Sequence, residues 1–260
     1  MKYRSVLFVP GHEEKKIRKA YTLNSDLIVI DLESTVPDQE KENAKKIIQT
    51  CDVNKENTYI RINSSDDLSF VCDEKFIGIF LPFTESKEQL LSIDSQLKKY
   101  EKLKTDIIPI IESQKGLDNL QEISNFVERV KIISFGSHDL AKSINLKVSD
   151  NENEILEYRK LITKFSKNPI DTSYLNFKDI DGFKKSCKIV KDLGLPLNIE
   201  DLEETISLAR KNYKKFFHKI TNRKSKFSIN YAAKNYMEFF VNTSNENNIF
   251  FPTISEPLLK

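Results

Sequence analysis

The stretch 106–117, DIIPIIESQKGL, decides how this chain is read. Its first half sets Ile107, Ile108, Ile110 and Ile111 around a single Pro109. A short β-branched run without polar alternation reads as a strand covered on both faces, the form that parallel sheets take. It ends on a carboxylate, Glu112, followed by Ser113, and Gly116 precedes an amphipathic helix. The design then returns: residues 130–134 (VKIIS) read as a second buried strand, followed by Phe135, Gly136, Ser137, His138 and Asp139. Carboxylates at the carboxyl ends of successive parallel strands face one mouth of an α/β barrel. Glu112 and Asp139 are therefore the expected functional centre.

The same alternation runs outward in both directions. Strands are predicted at 5–9 (SVLFV, closed by Pro10 and Gly11), 27–30 (LIVI), 59–62 (YIRI) and 77–81 (IGIFL) before the opening stretch. Beyond it they fall at 170–175 and 195–199. Helices are predicted at 12–23, 37–49, 87–103, 117–128, 152–165, 183–193 and 200–214, with a looser segment at 66–75. Strand and helix thus alternate eight times at a spacing of about thirty residues, the pattern of a (β/α)8 TIM barrel. The barrel is assigned to residues 1–217. Residues 218–260, rich in Phe and Tyr, break the alternation and read as a short C-terminal helical arm packing on this or another subunit.

Composition narrows the function. The 260 residues are enough for one barrel with a large core. Lysine and arginine (41) nearly balance aspartate and glutamate (39), so no basic field points to nucleic acid. Three scattered cysteines, an odd number, argue for a reducing cytoplasm over a disulfide scaffold. The apolar run at the N-terminus is too short for a signal peptide, and no later stretch approaches a membrane span. Glycine is scarce, only six residues, so Gly11 beside Pro10, and Gly136, mark places where backbone turns sharply or approaches a ligand.

The strand ends offer Asp31, Glu33, Arg61, Glu112 and Asp139. Carboxylates converging in one mouth repel each other unless a cation is shared. The candidate ligands are all oxygen, and a hard ion such as Mg²⁺, which takes one or two carboxylates plus waters or substrate oxygens, suits them. Arg61 carries the planar fork that captures a substrate carboxylate by two hydrogen bonds. Such a pair of devices can hold a 2-oxo or 2-hydroxy acid and stabilise an enolate during carbon–carbon cleavage or formation. The competing reading of Arg61 is a salt bridge to Asp31 or Glu33. His12 reads as a capping or surface residue, His138 as a neighbour of Asp139 or a solvent-exposed side chain, and Cys187 as core.

Five segments in the same order carry a resemblance: RSVLFVPG (4–11), VIDLESTVP (29–37), YIRIN (59–63), PIIES (109–113) with Gly116, and ISFGSHDL (133–140). They resemble the citrate lyase β-subunit-like family, which includes malyl-CoA and citramalyl-CoA lyases and belongs with the HpcH/HpaI aldolases in the phosphoenolpyruvate/pyruvate barrel superfamily. A weaker match continues through 169–195. The resemblance implies Mg²⁺ on Glu112 and Asp139, a substrate carboxylate or carbonyl on Arg61, and Glu33 near the metal's waters. It further implies backbone amides near Gly136 and Ser137 around the acid, and assembly as a homotrimer or hexamer. The sequence departs from the family at Ser34, usually Asp, and at Phe83, usually Lys. Leu197, Asn198 and Ile199 replace an Ile-His-Pro stretch, and the lid aspartate has no clear counterpart in the tail.

The expectation is a cytoplasmic, Mg²⁺-dependent carbon–carbon lyase or aldolase acting on a small carboxylic acid, with Arg61, Glu33 and Asp31 catalytic. Pro10, Gly11, Gly136 and Ser137 join Arg61 in substrate binding. Whether the acid carries coenzyme A stays open. The alternative is a degenerate barrel that binds an acid or a protein partner without turnover.

Overall fold

The computed structural model describes residues 6–23, 25–101, 104–126, 129–149, 152–166, 169–173, 179–192 and 251–254. Eight parallel strands close into a barrel in sequence order: β1 (Val6–Pro10), β2 (Leu27–Asp31), β3 (Thr58–Arg61), β4 (Gly78–Leu81), β5 (Asp106–Ile111), β6 (Ser134–Phe135), β7 (Ile170–Ser173) and β8 (Phe251–Ile254). Between them, among the described residues, run α1 (Glu14–Ala20), α2 (Lys41–Thr50), α3 (Asp67–Asp73), α4 (Lys87–Tyr100), α5 (Gln114–Asp118), α6 (Leu120–Ser124), α7 (Ser137–Ser143), α8 (Leu156–Phe165) and α9 (Ile180–Asp192). No described helix is long and apolar enough to cross a membrane.

The strands read as continuous apolar runs because both faces are covered, yet their period of two still sorts the side chains. Leu27 and Val29 of β2, Tyr59 of β3 and Ile108 and Ile110 of β5 point into the barrel, where they pack with Phe80 of β4. Ile28, Ile30, Ile60, Ile107 and Ile111 point outward under the helices. Inside, Phe80 meets the rings of Phe8 and Tyr59 edge-on at 5.3 and 5.6 Å. Two further steps along β2, β3 and β5 bring Asp31, Arg61 and Glu112 to the same inward layer.

Several elements differ from the sequence reading, each for a local reason. The segment 66–75 is not loose: Leu68, Val71 and Cys72 are buried at helical spacing and form the inner face of α3. The helix predicted over 117–128 is split at Asn119, whose side-chain amide donates to the Glu85 carbonyl at 2.8 Å. The sixth strand is shorter than 130–134 and shifted, keeping only Ser134 and Phe135. Ile107 N–H donates to Arg129 O at 3.3 Å, but the next donor on that side of β5 is position 109, a proline without an N–H. The ladder resumes only at Ile110 opposite Ser134.

The closing strand comes from the tail. Residues 251–254 pair in parallel with both β1 and β7, satisfying edges that would otherwise leave backbone polar groups unpaired. That part of the tail is barrel rather than arm. The strand predicted at 195–199, the helix at 200–214 and the boundary at 217/218 lie outside the described residues.

Two buried arginines hold the outer layer. Arg129 reaches both oxygens of Glu101 at 2.6 and 2.7 Å, the Thr105 carbonyl at 2.9 Å, and Asp94 of α4. Arg159 of α8 joins Asp171 of β7 at 3.0 Å, Glu152 at 2.8 Å and the Ser186 hydroxyl of α9 at 3.0 Å.

Gly78 tests this packing. A Cβ there would stand 2.5 Å from the Asp106 carbonyl oxygen and strike the Tyr59 ring. Gly78→Ala is therefore expected to cost about 1–3 kcal/mol, the range for overpacking a filled interior. Urea unfolding should show a lower midpoint at an unchanged slope.

Candidate functional site

At the carboxyl ends of the strands lies a cavity of about 320 Å³. β1 contributes Phe8, Val9 and Pro10, β2 Asp31 and β3 Arg61, with Ser34 and Thr35 from the loop after β2. Across from them stand Ile110 and Glu112 at the end of β5, Ser134 to Gly136, His138 and Asp139, and Thr172 and Ser173 of β7. Of the residues singled out from sequence, Pro10, Asp31, Arg61, Glu112, Gly136 and Asp139 line this space. Glu33 does not line it but touches Arg61, while Gly11 and Ser137 are buried in its walls.

Arg61 and Asp31 form the rigid side. They are register partners on neighbouring strands, so their inward side chains meet. Arg61 Nε donates to Asp31 Oδ1 at 2.6 Å and a terminal nitrogen binds Oδ2. Asp31 also accepts from the Glu33 amide at 2.9 Å, the Thr35 amide at 3.1 Å and the Thr35 hydroxyl. Burial pushes the Asp31 carboxyl up, but the Arg61 charge and these hydrogen bonds outweigh it and hold the group below its ordinary value. On Arg61, burial disfavours the charge, and Asp31, Glu33 and Glu112 together more than restore it. Here the salt-bridge reading of Arg61 applies, while its other edge faces Glu33 and Ser34 and its guanidinium carbon lies 5.6 Å from the Phe8 ring.

The opposite side holds Glu112, only 3% exposed. One oxygen accepts from the Phe83 amide at 2.8 Å. The other lies against Gly136, where a Cβ would stand 2.6 Å from it, so this carboxylate requires glycine across from it on the β6 side. Burial, together with the nearby charges of Asp139 and Glu33, pushes Glu112 up to about 7, against the pull of the Phe83 amide and Arg61. Asp139 is not at a strand end, as the sequence reading places it. It sits in the first turn of α7, half-exposed and paired with Lys142 at 2.7 Å. The barrel mouth nevertheless brings it to the same cavity as Glu112.

The wall between them is made of hydroxyls. Ser137 donates through its amide at 3.3 Å and its hydroxyl at 2.9 Å to Thr172 Oγ1. The Gly136 amide donates to Ile111 O at 3.0 Å. Both amides that the resemblance turns toward a substrate acid are thus engaged inside the protein. His138 Nε2 lies 3.0 Å from the Ser173 carbonyl, which can only accept, so that nitrogen carries a proton. His12 caps no helix: Glu13 precedes α1, and the buried Nδ1 of His12 has no hydrogen-bond partner among the described residues. The Cys187 side chain lies outside the described residues.

Thr35, Thr172 and the Phe83 amide are site features that the sequence reading passes over. Alternation from the inward Ile170 points to Thr172, and an Asp followed four residues later by Thr is a local hydrogen-bonding pattern. Phe83 gives no such signal, because its amide reaches Glu112 only through a left-handed backbone (φ 45°), uncommon for a residue with a side chain.

Among the described residues, no group of three or more His, Cys, Asp or Glu is gathered for a metal. The donor set is two carboxylates, Glu112 and Asp139, that line one cavity. That fits an ion such as Mg²⁺, which keeps several waters or ligand oxygens, and does not fit zinc.

Two measurements probe this geometry. Arg61→Met leaves Asp31 charged and buried without its partner, and is expected to cost about 3–5 kcal/mol in urea unfolding. Adding Asp31→Asn should recover part of that loss; full additivity of the two losses would show that the pair is not coupled. In the cation-free protein, Glu112 should titrate near pH 7 by carboxyl ¹³C NMR. Because folding raises its pKa, the folded form binds this proton more tightly, so the stability this group contributes is present at low pH and is lost as pH rises through about 7. A Glu112 signal titrating in the ordinary carboxylate range would contradict the buried environment.

Comparison with known proteins places this geometry. Residues 4–199 match the family model described as HpcH/HpaI aldolase/citrate lyase. Citramalyl-CoA lyase, mitochondrial, of Rattus norvegicus is 29% identical over 223 residues, covering 74% of this chain and 65% of its own length. Citrate lyase subunit beta of Haemophilus influenzae is 28% identical over 211 residues, covering 74% of this chain and 72% of its own. The chain thus spans less than two thirds of the length of the rat protein. Among solved structures, protein CitE from Mycobacterium tuberculosis in complex with magnesium and acetoacetate superposes with a TM-score of 0.64 at 19% identity, covering 75% of this chain and 84% of that one. That likeness concerns the fold, and the family match runs through every strand from β1 to β7 and every residue of the charged layer: this chain belongs to the HpcH/HpaI aldolase/citrate lyase family.

Proposed function

We propose that this protein is a Mg²⁺-dependent carbon–carbon lyase acting on a small 2-oxo or 2-hydroxy carboxylic acid, free or as its coenzyme A ester. The observation that carries the proposal is Glu112: a carboxylate buried to 3% exposure and pushed up to about 7, sharing a cavity with Asp139 and within electrostatic reach of Arg61. A protein has little reason to bury an acid among acids unless a cation joins them. The names of the rat and Haemophilus relatives, a citramalyl-CoA lyase and a citrate lyase subunit, support the reaction class. Magnesium beside acetoacetate in the CitE structure supports the choice of ion.

In this reading Glu112 and Asp139 hold the ion, and Glu112 does so as the carboxylate, losing its proton as the ion binds. When bound, Mg²⁺ supplies positive charge where a carbonyl oxygen gains negative charge during bond cleavage. Arg61 orients the substrate acid, and Asp31, fixed by Thr35 and the Glu33 amide, keeps the guanidinium in place. Phe8 and Ile110 line the cavity with apolar surface that strengthens these charge contacts by excluding water. Thr172 holds the α7 start, which carries Asp139, against the β7 wall.

The second reading, a barrel that binds an acid without turnover, draws on Ser34 and Phe83, which stand where the resembled family usually has Asp and Lys. Metal-dependent exchange of the α-protons of bound pyruvate, followed by ¹H NMR in D₂O, separates the two. Exchange requires catalysis; its absence alongside binding leaves a binding protein.

Glu112→Gln and Asp139→Asn should each weaken Mg²⁺ binding by roughly ten-fold or more, since each removes one of the ion's two carboxylates. Asp139→Asn should leave the melting temperature nearly unchanged, because Asp139 is half-exposed and its Lys142 pair is worth about 0–1 kcal/mol. Titration calorimetry showing unchanged Mg²⁺ affinity in both variants would sink the metal assignment.

A further inference from the structure

Arg61 has two hydrogen-bonding edges, one closed by Asp31 and the other shared by Glu33 and Ser34. The edge formed by Nε and one terminal nitrogen is closed by Asp31. The outer edge faces Glu33, whose Oε2 lies 3.2 Å from Nη1, and Ser34, whose hydroxyl oxygen accepts from Nη2 at 2.7 Å. A ligand carboxylate would need this outer edge to be captured by two parallel hydrogen bonds.

The two acids are not equally fixed. The Asp31 side chain is 1% exposed and accepts from Arg61, two backbone amides and the Thr35 hydroxyl. The Glu33 side chain is 21% exposed, and among the described residues its carboxylate is held by the ion pair with Arg61. Its own amide, however, is tied to Asp31 Oδ1 at 2.9 Å. The Glu33 side chain can therefore swing away while its backbone, and Asp31 with it, stays in place.

We infer that Glu33 is an internal stand-in for the substrate acid: its carboxylate occupies the Nη1 half of the outer edge of Arg61, beside the Ser34 hydroxyl on Nη2, and an acid ligand binds by displacing it. This rests on the proposal that Arg61 receives the acid. It assigns Glu33 a role as the competitor that sets the affinity of the site for anions, rather than as a group fixed on Arg61 in the loaded state. Displaced Glu33 also remains beside the mouth as a negative charge, which lowers anion affinity further.

The test is titration calorimetry of the full chain with pyruvate at one fixed Mg²⁺ concentration, comparing Glu33→Gln, Glu33→Asp and Arg61→Lys with the parent. Glu33→Gln should bind pyruvate about five-fold more tightly, the equivalent of one ion pair of about 1 kcal/mol. Glu33→Asp keeps the charge but shortens the reach to Nη1, so it should also gain affinity, which a merely structural role for the charge would not produce. Arg61→Lys should lose affinity, because one ammonium cannot offer a second edge. Loss in Arg61→Lys without a gain in either Glu33 variant overturns this inference alone; unchanged binding in Arg61→Lys overturns both it and the placement of the acid on Arg61. The carboxyl ¹³C signal of Glu33 in the parent protein gives a readout free of folding effects: it should shift on pyruvate addition, and a stationary signal at saturation overturns the displacement.

Discussion

A single guanidinium is shared by the acids of the barrel mouth, and the geometry of the site follows from that sharing. Arg61 binds Asp31 and Glu33 directly and influences Glu112 through space. Opposing charges at such distances interact strongly only where water is excluded, and Asp31 lies wholly out of water. The Arg61–Asp31 pair is therefore a fixed internal dipole, while the charge it does not cancel remains on Glu112, Asp139 and Glu33. Lys142 answers Asp139 from the exposed side, so Glu112 is the carboxylate that burial leaves least compensated. Its proton or a cation must complete the balance.

The fold supplies this layer through alternation and support from behind. Inward positions along β2, β3 and β5 carry apolar side chains at the bottom and charged ones at the rim, so the same strand both fills the core and displays chemistry. β7 shows the support directly. Its Thr172 faces the cavity and holds Ser137, while the preceding Asp171 faces outward to the buried Arg159. That buried pair is costly to desolvate and has no access to substrate. Its physical role is to hold α8 and β7, and through Glu152 and Ser186 also α9, in one arrangement.

Close approach decides the other wall. Glu112 can stand where it does because position 136 has no Cβ and because Phe83 turns its amide inward. The cost of a left-handed backbone at Phe83 is accepted at the point where a buried carboxylate needs a donor, consistent with strain concentrating at functional sites. The Phe83 side chain, 48% exposed, adds little to the core.

Much of this was legible in the sequence because it depends on local pattern. The isoleucine run around Pro109, the alternation through the first seven strands and the carboxylates closing β2 and β5 follow from periodicity and composition, which survive without knowledge of distant neighbours. Asp31, Arg61, Glu112, Gly136 and Pro10 were recognisable at strand ends for the same reason, whereas Asp139, expected at a strand end, reaches the mouth from the first turn of α7. What depends on distant neighbours was not legible. The partner of Arg61 is chosen by the Asp31–Arg61 register between β2 and β3, and the start of the β6 ladder by Pro109 on another strand. Strand closure by residues 251–254 is set by the open edges of β1 and β7, about two hundred and forty and eighty residues away in sequence. The amide donor to Glu112 comes from a backbone conformation that its residue type disfavours. A sequence states which groups the chain carries and which face of an element they take. Which of them meet, and so which carboxylate is neutralised and which is left to hold a proton or a metal, is settled only when the barrel closes, because charge interactions depend on distance and burial.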